Sequence, residues 1–206
     1  MSDYFAEKAQ TWDAQPMREA MGAAFVAELE SLAPFGPDTD ALEFGAGTGL
    51  VGLRLAPRLR SLALLDTSPA MLAKLREKLA PLGLPNVSVH HLDLTTAPWT
   101  GPPPRLLYAL MALHHVPAPP KAIRAFHAAL APGGHAVVAD LLPEDGSFHG
   151  AEPAYHNGFD PDILLAWFRE AGFTDLTAHT FHTLHKPGPD GVMRDYGLFV
   201  LAGRKA

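Results

Sequence analysis

After residue 40 the chain alternates short apolar runs with helix-forming stretches, and no other feature restricts its fold as much. Ala41-Leu42-Glu43-Phe44, Leu62-Ala63-Leu64-Leu65, Val87-Ser88-Val89-His90, Leu106 to Met111 and His135-Ala136-Val137-Val138-Ala139 read as five strands. Runs that are apolar on both faces suit a parallel sheet covered by helices on each side, which makes this an α/β chain. The intervening helices carry their own punctuation. One spans about Leu50 to Leu59. A second opens on Ser68 as N-cap, with Pro69 at the first helical position, and runs to about Leu79. A third covers Ala122 to Leu130 and stops at Pro132-Gly133-Gly134, and a fourth runs from about Pro161 to Ala171 and stops at Gly172.

The two ends break the pattern. Asp175 to Leu184 and Tyr196 to Leu201 are separated by a turn cluster, Lys186 to Gly191, too short for a helical crossover, so they should pair antiparallel. At the front, Met17, Met21, Phe25 and Leu29 recur every fourth residue, as one face of an amphipathic helix does. A length of 206 residues fits one domain, with a helical extension over 1–36 and an α/β core over 37–206.

Composition narrows the chemistry. The chain has no cysteine, which removes disulfides, thiolate nucleophiles and Cys-bearing zinc sites. Its formal charge is −6 and its 16 Lys and Arg are scattered, so a nucleic acid partner is not expected. No basic start followed by an apolar run is visible, and no stretch of ~18 apolar residues exists to span a membrane. The cytoplasm is therefore the expected compartment.

The chemistry centres on Glu43-Phe44-Gly45-Ala46-Gly47-Thr48-Gly49, after the first strand. Gly47, Gly49 and Gly52 fit the spacing G-x-G-x-x-G, and Asp66 ends the second strand about 20 residues on. Taken alone, this is a dinucleotide-binding fingerprint. Glu43 argues against a pyrophosphate. Two like charges at ~4 Å cost roughly 1 kcal/mol in water and several times that when partly buried. With Asp66 and Asp93 also at strand ends, and no Lys or Arg in the loop, the signs favour a cationic cofactor.

Leu42 to Leu50 resembles motif I of the class I, Rossmann-like S-adenosylmethionine-dependent methyltransferases. Leu65-Asp66-Thr67-Ser68-Pro69-Ala70-Met71-Leu72 is similar to that family's acidic second-strand end, and His91-Leu92-Asp93-Leu94 to its third-strand acid. Met111-Ala112-Leu113-His114-His115-Val116, Leu130 to Gly134, Ala171-Gly172-Phe173 and Tyr196 to Arg204 follow in the family's order. Arg105 departs from the pattern, in which Asp often opens the fourth strand. The resemblance implies a three-layer fold and a seven-stranded sheet of order 3-2-1-4-5-7-6, with strand 7 antiparallel. It further implies S-adenosyl-L-methionine as cofactor and S-adenosyl-L-homocysteine as product. By position, Gly45, Ala46, Gly47 and Gly49 would wall the methionine moiety, and Glu43 would help hold its ammonium. Asp66 would take the ribose hydroxyls, and Thr67 and Met71 would line the adenine. Asp93 and Leu94 would read the adenine edge, and Ala109 and Met111 would lie under the reacting centre.

Each of these acids has a plainer reading: Glu43 as a strand end, Asp66 as a helix-capping acid, Asp93 as a turn residue. Gly52 reads as close helix–strand packing only. His114, at the exit of strand 4, is the candidate general base, with fixing of that loop as its competing role. Tyr4 and Trp12 in the extension, and His149 and Tyr155 in the long loop Leu142 to Phe159, are candidate acceptor-lining residues. No metal site is expected, because His179, His182 and His185 alternate faces on a strand and adjacent pairs such as His114-His115 point apart there.

Missing cysteines set aside thiol-dependent arsenic methylation and Cys-based RNA base methylation. The Asp/Asn-Pro-Pro-Tyr signature for amide or exocyclic nitrogens is also lacking after strand 4. A small-molecule acceptor, methylated on O, N or C, is the remaining expectation. A nicotinamide-dependent oxidoreductase and a non-catalytic cofactor-binding relative are the alternatives.

Overall fold

The computed structural model describes residues 8–9, 15–150 and 154–206. Helix α1 (Pro16–Leu32) precedes β1 (Asp40–Phe44), α2 (Gly52–Leu55), β2 (Ser61–Asp66), α3 (Pro69–Leu79), β3 (Val87–His91) and β4 (Leu106–Leu110). Then come α4 (Pro119–Ala129), β5 (His135–Leu141), α5 (Pro161–Glu170), β6 (Phe173–Pro187) and β7 (Met193–Lys205). The strands form one sheet of order β3-β2-β1-β4-β5-β7-β6. The first five are parallel, and β7 runs antiparallel to both β5 and β6. This is the α/β fold expected from the apolar runs, in the strand order that the family resemblance implied.

Two-residue alternation sorts the strands' side chains into two cores. Leu62, Leu64, Leu106, Tyr108 and Val137 face one side, with Phe25 and Leu29 of α1 and Leu72 and Leu75 of α3. Leu42, Leu65, Leu107, Ala109 and Val138 face the other, with Ile123 and Phe126 of α4 and Leu164 and Phe168 of α5. Each fully buried Leu or Phe among them contributes roughly 1.5–3 kcal/mol relative to exposure. The periodicity of α1 has the same cause, since Met21, Phe25 and Leu29 are its buried face.

Element boundaries depart from the sequence reading where proline acts. The helix expected to reach Leu59 is α only over Gly52–Leu55 and continues as a 3₁₀ turn over Ala56–Arg58. Pro57 lacks the N–H that another α-helical bond would need. Helix α4 starts at Pro119, before the expected Ala122, because prolines are tolerated where the N–H would be unpaired. Ser68 caps α3 as expected, its Oγ accepting from the Met71 N–H at 3.3 Å. The terminal hairpin is longer than its apolar pattern suggests. Strand β6 lies at the sheet edge, carries polar residues, and is interrupted by irregularities at Thr174/Thr177 and Thr180/His182. Among the described residues, no helix is long and apolar enough to cross a membrane.

Gly52 is where α2 meets the sheet. A Cβ there would lie 2.4 Å from Glu43 Oε2 and 2.4 Å from Leu64 Cδ2. Gly52→Ala is expected to destabilise the protein by about 1–3 kcal/mol, through overpacking of this contact. The midpoint of urea unfolding measures it, and an unchanged midpoint would mean that the helix can lift off β1 freely.

Candidate active site

Parallel strands end on a common edge, and here the order reverses between β1 and β4, where chain connections diverge and leave a crevice. A cavity of about 900 Å³ opens at that edge. Its floor is the loop after β1 and the exits of β2, β3 and β4. Helix α1 supplies a wall through Met17, Arg18 and Met21, and the far end of β6 supplies another through Leu184 to Pro187.

One end of the cavity is acidic. Asp66 stands at the tip of β2, its Oδ2 accepting from the Gly47 N–H at 2.7 Å and its Oδ1 from the Ser68 N–H at 2.8 Å. The glycine loop is thus tied to the second strand by one carboxylate. Burial raises the Asp66 carboxyl above its usual range, against the lowering effect of the N–H groups it accepts from. Asp93 is half-buried, and its Oδ1 accepts from the Thr95 N–H at 2.7 Å, so it closes a turn as well as facing the cavity. Glu43 is only 3 % exposed. Its Oε2 accepts from the Tyr108 hydroxyl at 3.3 Å. Burial first, and then the Asp66 charge, push its carboxyl up from the usual 4.5 to about 8, although Tyr108 and the Gly52 N–H pull the other way. Glu43 is therefore largely protonated at neutral pH in the ligand-free protein. The charge argument drawn from the sequence rests mainly on Asp66 and Asp93.

The other end gathers basic groups. The chain leaves β4 at Leu110, turns at Met111 (φ 53°) and forms a 3₁₀ turn over Leu113–His115. His114 is buried, and its Nδ1 lies 2.6 Å from Oδ1 of Asp140 on β5. Asp140 has no exposure and also accepts from the Leu113, His114 and Leu141 N–H groups. Burial alone would raise its carboxyl; the charge and bonds of His114 and these N–H groups outweigh that and hold it below its usual range. His149, from the loop after β5, places Nε2 3.1 Å from His114 Nε2. Burial, then His114, push its imidazole down to about 4, against the pull of Asp140. The His114 carbonyl accepts from the Tyr155 and His156 N–H groups at 3.1 and 3.3 Å, clasping that loop to the turn. Lys186 donates to the Phe148 carbonyl at 2.6 Å and lies over the Phe148 ring. Burial and Arg18 lower its ammonium below the usual range, with Glu144 opposing.

Of the residues named from sequence, Glu43, Gly45, Ala46, Gly47, Asp66, Thr67, Met71, Asp93, Met111, His114, His149 and Tyr155 line this cavity. Three others do not. A Cβ at Gly49 (φ 81°) would meet Leu75 at 2.4 Å, so this glycine faces α3. Leu94 is 4 % exposed and belongs to the core beneath α4, while Leu92 lines the cavity in its place. Ala109 points into the same core, since alternation along β4 sends Leu110 toward the cavity instead. Tyr4 and Trp12 lie outside the described residues. The divergence expected of His114 and His115 does not occur. They sit on a turn rather than a strand, and their rings are 4.1 Å apart. Asp140 was missed; its signal was an acid alone in the apolar run Ala136 to Leu142.

Comparison with known proteins agrees with this fold. Residues 41–134 match the family model of a methyltransferase domain. An uncharacterized methyltransferase of Schizosaccharomyces pombe is 27% identical over 150 residues, covering 65% of this chain and 53% of its own length. The chain thus spans about half the length of that relative. Among solved structures, phosphoethanolamine N-methyltransferase 2 of Haemonchus contortus, in complex with S-adenosyl-L-methionine, superposes with a TM-score of 0.73 at 15% identity. That match covers 87% of this chain and 51% of the other. The N-methyltransferase NodS of Bradyrhizobium japonicum gives a TM-score of 0.68 at 18% identity, covering 94% and 98%.

Glu43 has a consequence for stability. Its folded-state pKa lies above the unfolded one, so its contribution is complete below about pH 4 and is lost as pH rises through about 8. Between about pH 6 and 9, the melting temperature of the ligand-free protein should fall more for wild type than for Glu43→Gln. Parallel curves would show that this carboxyl ionises normally in the fold.

Proposed function

We propose that the chain is a class I S-adenosylmethionine-dependent methyltransferase, with S-adenosyl-L-methionine as cofactor, and that it methylates a small-molecule acceptor on O, N or C. The observation that carries this reading is the single cavity-lining surface with an acidic end on the glycine loop and a histidine-lined end beneath α1 and β6. A cavity of about 900 Å³ is within the size range of small-ligand sites.

The acidic end fits the cofactor. Glu43 and the backbone of Gly45 to Gly47 would hold the methionine part, and Asp66, with Thr67 and Met71, the ribose and adenine. Asp93 would face the adenine edge. When bound, the cofactor supplies a sulfonium methyl group whose C–S electron pair stays on sulfur as S-adenosyl-L-homocysteine forms. The chain's task is to align an acceptor at ~3 Å from that methyl and to exclude water. Met111, at the strand-4 exit, would lie under the reacting centre. Residues 16–21 of the helical extension and the loop bearing His149 and Tyr155 would close over the acceptor. His114 would accept the proton from an acceptor that ionises above neutral pH, with Asp140 stabilising the imidazolium through Nδ1.

Calorimetric titration with S-adenosylmethionine, S-adenosylhomocysteine and NAD tests the assignment. Binding of the first two is expected, and tight NAD binding without a response to S-adenosylhomocysteine would overturn it. Asp66→Ala should weaken cofactor binding by ~1.5–3 kcal/mol, the range for hydrogen bonds to a charged group. Because a cation beside Glu43 favours its ionised form, binding near pH 7 should release a proton and strengthen as pH rises toward about 8. Glu43→Gln should abolish that dependence. Once an acceptor is found by screening, His114→Ala should lower its turnover; a near-wild-type rate would reduce His114 to holding the loop.

A further inference from the structure

Three imidazoles from two separate segments converge on the basic wall of the cavity. One ring nitrogen from each of His114, His115 and His149 lies within 4.8 Å of the other two. The ring centroids of His149 lie 4.7 Å from His114 and 5.4 Å from His115.

Their orientation is specific. Asp140 accepts at Nδ1 of His114, which fixes the tautomer whose Nε2 lone pair looks toward His149. A carboxylate behind the distal nitrogen is the usual outer support of a metal-binding histidine. The Nε2 atoms of His114 and His149 are 3.1 Å apart. Two nitrogens bound to one tetrahedral metal at ~2.0–2.1 Å lie ~3.3 Å apart, so this pair already stands near ligand separation. His149 Nδ1 is buried without a hydrogen-bond partner, while the ring packs edge-on against Phe148 with centroids 4.8 Å apart. The His114 carbonyl also accepts from the Tyr155 and His156 N–H groups further along the chain.

We propose that His114, His115 and His149 form a three-histidine site for a divalent transition metal of the zinc class, supported from behind by Asp140. Imidazole ligands select zinc, nickel, copper or iron over magnesium and calcium. Three protein ligands leave a coordination position open to the cavity, as in catalytic rather than structural sites. Lys186 and Lys8, whose charges reach His149, work against a dication, and Asp140 is the buried charge that offsets them.

A consequence follows that rests on the methyl-transfer reading, while the site itself does not. An acceptor hydroxyl bound at the open position loses its proton to water more easily. Its oxygen lone pair then forms the bond to the methyl carbon as the C–S bond breaks and its electron pair stays on sulfur. His114 in that state is a ligand, not the proton acceptor.

The test uses the untagged full chain, stripped with EDTA and titrated with Zn²⁺ by calorimetry and with Co²⁺ by visible absorption. One equivalent should bind, with the cobalt bands of a four-coordinate site. His149→Ala and His115→Ala should each weaken binding at least ~10-fold, and Asp140→Asn by ~10–100-fold. His149 lies in a loop, so a melting temperature matching wild type in EDTA would establish that its variant is folded. Wild-type affinity no higher than that of the folded His115→Ala/His149→Ala double variant would overturn the site. A parallel titration with S-adenosylhomocysteine separates the two readings. Metal binding without it supports the site and removes the methyl-transfer reading, whereas its binding without metal overturns the site alone.

Discussion

Between β1 and β4 the helical connections leave the sheet in opposite directions, and the cavity with its acidic and histidine-lined ends depends on the crevice that results. Backbone geometry creates it before any side chain is chosen, because parallel strands present all their carboxyl ends on one edge. The loop from Glu43 to Gly47 turns into it, Asp66 pins that loop through the Gly47 N–H, and the β4 exit delivers the histidine turn to the same place. Packing on the opposite surface of each strand then keeps the edge fixed, with Tyr108 and Leu42 on opposing faces of adjacent strands.

Charge is distributed along that crevice in a way that burial modifies. Glu43 is nearly as buried as the leucines around it, and the protein tolerates it by keeping it protonated and bonded to Tyr108. Asp140 is equally buried yet is held ionised, since three backbone N–H groups and His114 surround it. Two buried carboxyl groups are thus driven in opposite directions by what each one meets, His114 and three N–H groups around Asp140 against a hydroxyl, one N–H and the Asp66 charge around Glu43.

Much of this was legible in the sequence. Both-face apolar runs announced the parallel core, the terminal turn cluster announced the antiparallel hairpin, and the glycine loop with Asp66 marked the crevice. What escaped was what depends on exact facing. Leu94 and Ala109 belong to apolar runs whose alternation decides their side, and a shift of one residue exchanges cavity for core. Gly49 carries the same motif as Gly47 but meets α3. The histidine cluster was hidden because His114-His115 was read as strand, whereas the positive φ of Met111 ends the strand and coils the next residues. The pairing with His149 crosses 35 residues, a distance over which local periodicity says nothing.

The edge strand β6 and helix α1 share one property besides walling the cavity: both lie outside residues 41–134, which carry the family likeness. His149 and Tyr155 lie outside it too. The segment that carries the glycine loop, Asp66 and Asp93 thus bears the likeness, while the elements that wall the histidine-lined end of the cavity stand outside it. A substitution at Arg18, His185 or Lys186 changes what borders the crevice, whereas Phe25 and Leu29 of the same leading helix belong to the core beneath it.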